Sequence, residues 1–138
     1  MIEAALIKLL TDDSATTAIV EGRIHPDSDP QKSPRPKITF TTVSTRRDLS
    51  NDGPTNTART SLRLDCWSDR LMQAWQISRA VRMAVDGFRG SVTSVTGTVY
   101  QIDGMHVKNE WSNPPPILSG EDKGIQRVSI ELVINHKS

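Results

Sequence analysis

The sequence is short of the features that mark an enzyme, a secreted scaffold or a membrane protein. Cys66 is the single cysteine in 138 residues, which excludes an intrachain disulfide framework and fits a reducing compartment. Aromatic residues are 4% of the chain, so the core must be mainly aliphatic. The apolar stretch "MIEAALIKLL" carries Glu3 and Lys8 inside it. It is therefore read as neither a signal peptide nor a membrane span, and a soluble protein made in the cytoplasm is expected. His25, His106 and His136 lie far apart, and none is paired with a cysteine or carboxylate at metal-ligand spacing. No Walker or Rossmann glycine pattern is present. Asp12-Asp13, ahead of a serine, reads as a turn or cap. No catalytic, metal-binding or cofactor-binding residue is expected, and the chain is read as not an enzyme.

One-sided charge is also lacking. The net charge is +1, which is no footprint for a dedicated nucleic-acid binder. The distribution is uneven, however. Residues 1–30 carry two basic and six acidic side chains, whereas residues 31–64 carry seven basic and two acidic ones. Two readings follow: an acidic end and a basic middle that attract each other head to tail between copies, or two differently solvated faces.

What is present is pattern. The length suits one domain over residues 1–138. Ile2, Leu6, Leu9 and Leu10 have helical spacing, "TDDS" breaks that helix, and "ATTAIV" adds a short turn of helix ending at Gly22. "KITFTTVST" (37–45) is rich in threonine and β-branched residues and reads as a strand. "RTSLRLDCW" (59–67) alternates, with Leu62, Leu64 and Cys66 on one side and Arg63, Asp65 and Trp67 on the other. Cys66 is thus read as a buried, inert thiol. A strand over 91–102, weakened by Gly97, is expected to join 105–111 through a turn at Asp103-Gly104. The last strand, 125–136, places Val128, Ile130, Leu132 and Ile134 on the core face and Arg127, Ser129 and Glu131 outside. Proline, glycine and polar clusters predict flexible loops near 25–36, 46–58 and 112–124. The fold class expected is α+β, a mostly antiparallel sheet with a long helix over about 69–88 packed on one face and a shorter N-terminal helix.

That long helix holds an anomaly. Ser68 is its expected N-cap, and Gly87 or Gly90 its stop. On an ideal wheel, Leu71, Ala74, Ile77, Val81, Ala84, Val85 and Phe88 share one apolar sector. Trp75 lies on the far side near Arg79 and Arg82, with Met72 and Met83 at the edge of that side. Trp67, by strand parity, also points away from the core. Trp75 marks either a protein–protein contact rimmed by arginine or a side chain that the N-terminal helix folds over.

Along its whole length the chain resembles the tail completion proteins of long-tailed bacteriophages, also called tail terminator or head–tail joining proteins. An N-terminal "MIEAALIKLLTDD" helix leads through "VEGRIHPDSDPQ" to the strand "PKITFTTVS". The stretch "NDGPTNTARTSLRLDCWS" enters "RLMQAWQISRAVRMAVDGFRG", and "IQRVSIELVINHK" closes the chain. The resemblance implies an assembly protein without a cofactor. It forms a homo-oligomeric ring, usually taken as six copies, that caps the phage tail tube protein and gives a docking surface to the head connector or stopper protein. Its place is the tail–neck region of the virion, reached from the host cytoplasm. DNA passes through such a ring without specific binding, and no membrane is involved.

In such a ring, Met72, Trp75, Arg79 and Met83 are expected at the subunit interface. Arg46, Arg47, Asp48, Asn51 and Asp52 in one loop, and Asn113, Pro114, Pro115, Glu121 and Asp122 in another, are expected to bind tube or connector, ordering as they do so. Two other readings stand beside it: a connector or stopper of the same virion neck, and a free cytoplasmic protein-binding module.

Overall fold

A computed structural model describes residues 2–26, 34–50, 53–113 and 125–137, except for the side chains of 48–50 and 53–55. Helix α1 (Ile2–Asp12) buries Ile2, Ala5, Leu6 and Leu10. The acidic break after it is a cap. The Asp13 carboxylate accepts from the Thr16 amide at 2.9 Å and the Thr16 hydroxyl at 2.7 Å, which starts α2 (Ser14–Val20). Glu21 closes α2 in the left-handed region at φ 53, and Gly22, at φ 81, turns the chain away.

Among the described residues six strands form one sheet: β1 (Ile24–Pro26), β2 (Lys37–Ser50), β3 (Gly53–Ser68), β4 (Gly90–Thr93), β5 (Val99–Ser112) and β6 (Gln126–Lys137). Their order is β1-β2-β3-β6-β5-β4. The β1–β2 pair is parallel and the others are antiparallel. The long helix α3 (Leu71–Val85) packs over β3, β6 and β5. The fold is therefore the expected α+β arrangement. Alternation sets the core: Leu62, Leu64 and Cys66 of β3 and Val128, Ile130, Leu132 and Ile134 of β6 are all buried against the helices. Full burial of each aliphatic side chain is worth about 1.5–3 kcal/mol. α1 touches β4 at one edge of the sheet, and its Glu3 accepts from the Thr42 hydroxyl of β2 at 2.7 Å, so the sheet curls around α1.

Several expectations are corrected. Residues 46–58 are not a loop: β2 runs on to Ser50 and β3 begins at Gly53, with pairs Arg46↔Arg59, Arg47↔Ala58 and Ser50↔Gly53. β6 ends opposite Thr57, so the hairpin continues as an arm past the sheet. Of the described side chains there, Arg46, Arg47 and Asn56 are exposed and only Ala58 is buried, so no apolar alternation marks the strands and their polar residues imitate a loop.

The turn at Asp103-Gly104 is also absent. β5 runs through it with a register shift between Ile102 and Gly104. The chain reverses at Ser94–Thr98 instead, where Gly97 takes φ 89, a conformation that glycine adopts without penalty.

The long helix is shorter than 69–88. Ser68 is not its cap. Its hydroxyl accepts from the Arg70 amide and donates to Gln73, ordering the entry, while Arg70 occupies the cap without a side-chain bond. Helix α3 ends where the Gly87 amide donates to the Met105 carbonyl at 2.8 Å. In the 25–36 connection, His25 and Pro26 belong to β1, and 27–33 lie outside the described residues.

The outer side of the sheet is not simply solvated. Asp65 and Ser129, both read as outward, are buried. Ser129 donates to Asp65 at 2.6 Å and accepts from the Asn113 side-chain amide at 3.1 Å, so the buried carboxylate has a partner. Trp67 does lie on this side, half-buried. The Arg127 guanidinium stands 4.9 Å and the Lys37 ammonium 5.8 Å from its ring centroid, and its indole N–H donates to Thr39 at 2.9 Å. Trp67 thus has in-chain work in cation–π contacts.

Candidate assembly surface

Two polar links fix the rotation of α3. The Ser78 hydroxyl donates to one Glu110 oxygen at 2.6 Å, and the Arg82 guanidinium meets the other at 3.1 Å. With Ala74, Ile77, Val81 and Val85 buried beneath, the opposite side must face out. Met72 is 73% exposed, Met83 71% and Trp75 37%. Arg79 is exposed beside them and has no ion-pair partner among the described residues. The helix thus has a second apolar surface that its own sheet does not cover, with Met72 and Met83 open and Trp75 at its partly covered margin. Methionine, tryptophan and arginine are residue types enriched where proteins meet.

Beside this surface lies a feature that the helical wheel does not reveal. Ala15 and Ile19 of α2, with Gln76, Arg79, Ala80 and Met83 of α3, line an open notch of about 450 Å³. Its only sequence signal was the i, i+4 spacing of Ala15 and Ile19 in a helix of seven residues.

The two expected binding segments leave the sheet at opposite ends. The arm leaves beyond the Thr57↔Lys137 pair, while the connection after β5 starts next to Ser112↔Val128, near Ser68↔Gln126. Arg46 and Arg47 are exposed on the arm, and Asp48 is in β2. Asn51 and Asp52, and Pro114, Pro115, Glu121 and Asp122, lie outside the described residues. Asn113 is already employed in the sheet. Its amide donates to the Arg127 carbonyl at 2.8 Å, and its carbonyl accepts from the Arg127 side chain at 2.7 Å.

Reactive groups are dispersed. His25 is in β1, His106 is exposed on β5, and His136 is buried against the Thr60 hydroxyl at 2.8 Å. Among the described residues no three His, Cys, Asp or Glu side chains gather as a metal site. Burial pushes the Cys66 thiol far up, and the charges of Asp65 and Glu110 add to that, so it stays protonated and unreactive. The acid-rich start of the chain is partly neutralised within the molecule: Lys8 pairs with Asp12 at 3.1 Å and Arg23 with Glu21 at 2.7 Å. Exposed pairs of this kind contribute little, but they leave less charge for a neighbour.

Comparison with known proteins follows the same outline. No curated protein matches the chain. A chain from the virion of a native gene transfer agent (GTA) particle shares the fold, with a TM-score of 0.73, 12% identity, and coverage of 99% of this chain and 95% of that one. The family model for tail completion protein gp17 matches residues 4–99, from α1 through β4 and into the first strand residue of β5. The chain belongs to the tail completion protein gp17 family.

Proposed function

We propose that this tail completion protein acts as a tail terminator: a ring of copies, six by resemblance, that caps the tail tube and offers the head connector a docking surface. The observation that carries the reading is α3 itself. It buries Ala74, Ile77, Val81 and Val85 in its own core yet displays Met72, Trp75 and Met83 outside. An uncovered apolar surface beside arginine on a small domain is a contact awaiting a partner. Met72, Trp75, Arg79 and Met83 form one side of the contact between neighbouring copies.

The two polar segments leave the sheet at opposite ends, which supports one axial partner at each end. The arm, with Arg46, Arg47, Asp48, Asn51 and Asp52, meets one, and the segment with Pro114, Pro115, Glu121 and Asp122 meets the other, anchored by Asn113. The work is structural and not enzymatic, with no cofactor. DNA moves through the ring without being gripped, in keeping with a net charge of +1. The protein is made in the host cytoplasm and ends in the tail–neck region of the virion, where its GTA relative in fold also comes from a virion.

Electron microscopy of particles made without the protein tests this. Overlong or uncapped tails are expected. DNA-filled heads that leak, with tails of normal length, would assign the chain to a connector or stopper layer instead.

A further inference from the structure

A closed ring joins each copy to the next through two different patches, because only a head-to-tail contact repeats around an axis of more than two copies. The outer surface of α3 supplies one. The exposed large apolar side chains among the described residues sort into few places. Leu71, Met72, Trp75 and Met83 are on α3, Val95 and Val99 flank the β4–β5 turn, and Val43 stands alone on β2.

The turn is unusual on physical grounds. Val95 is 89% exposed and Val99 64%, and the stretch "SVTGTV" carries no charge. It is also locked. The Ser94 amide donates to the Thr98 carbonyl at 2.8 Å and the Gly97 amide to the Ser94 carbonyl at 2.9 Å. The Ser94 hydroxyl contacts Thr96 and accepts from the Thr98 amide. A stiff, convex, uncharged tip with β-branched side chains loses little freedom on docking. The α2–α3 notch is its counterpart: open, walled by Ala15, Ile19, Ala80 and Met83 with Gln76 and Arg79 beside them, and continuous with the α3 surface.

We propose that the Ser94–Thr98 turn of one copy seats Val95 and Val99 in the α2–α3 notch of the next copy. This completes the ring contact and rests on the ring reading above. The occupant is a second copy because a ring contact needs two different patches on one chain, and among the described residues the exposed large apolar side chains gather on α3 and at this turn, with Val43 apart.

The test uses the full chain assembled on purified tail tubes. Val95→Cys and Ala15→Cys are placed in one chain and treated with a short bismaleimide, with Cys66 buried and inert. A ladder of covalent multimers up to the full ring is expected. Rings that give no ladder overturn the proposal and leave the ring reading standing, whereas chains that remain single on tubes overturn both. As a second arm, Val95→Asp should keep the wild-type melting temperature, since the side chain touches mainly solvent, yet raise the concentration for half-assembly at least about tenfold, the loss typical of removing one well-packed contact. Val95→Ile should assemble normally. Unchanged assembly of Val95→Asp would refute the docking.

Discussion

The two sides of α3 are made of similar residues and do different jobs. Beneath, Ile77, Val81 and Val85 are closed off from water by β3, β5 and β6. Above, Met72 and Met83 stand free. Helical pitch alone separates them, and the Glu110 links to Ser78 and Arg82 hold the separation. The contrast teaches that apolarity in one helix can be divided between folding and assembly. Which share a residue belongs to is set by angle rather than by hydrophobicity.

The largest effect should come from cutting into the lower side. Ile77→Ala is expected to lower unfolding free energy by about 2–5 kcal/mol through lost burial and a cavity, read by urea denaturation. A mutant as stable as the wild type would erase the distinction. Next, Ser78→Ala removes the donor to Glu110 and should cost about 1–3 kcal/mol, with assembly weakened as the helix loses its fixed rotation.

Cys66, on the core side of β3, gives a pH handle. Its folded-state thiol is raised above the ordinary 9.0, so the unfolded chain ionises first. Its contribution is complete below pH 9.0 and is lost as pH rises beyond it, at about 1.4 kcal/mol per pH unit. Replacing Cys66 by Ala should flatten the alkaline decline in unfolding free energy by that amount, read by urea denaturation across pH, and an identical decline in both proteins would contradict burial of the thiol. The smallest effect on the fold belongs to the upper side. Met83→Ser should change stability by no more than about 0.5 kcal/mol, measured by thermal melting, while reducing assembly.

Legibility followed the same divide. Wherever a segment has one dry face, its period is visible. Leu62, Leu64 and Cys66, then Val128 to Ile134, gave their strands, and the α3 wheel placed both Ile77 and Trp75 on their observed sides. In the arm, Arg46 and Arg47 are exposed and no apolar alternation runs through the sequence, so the segment reads as loop. The β4–β5 reversal was misplaced because Asp103-Gly104 carries the commoner turn signal. The choice of Gly97 depends on the Ser94 hydrogen bonds, which no local pattern displays. β1, three residues long, exists only through parallel pairing with Ile38–Phe40. The α2–α3 notch combines two elements and has no period of its own. Asp65 and Ser129 alternate as their strands require but are buried rather than solvated, because the hydrogen bonds that link them to each other and to Asn113 run between strands and leave no local signal.

The claim that the upper side of α3 is for assembly is tested most directly by sedimentation velocity of wild type and Trp75→Glu, each with and without tail tubes. The account predicts a ring for the wild type on tubes and a folded single chain, with near-native circular dichroism, for the variant under every condition. A Trp75→Glu protein that sediments as an intact ring would contradict it.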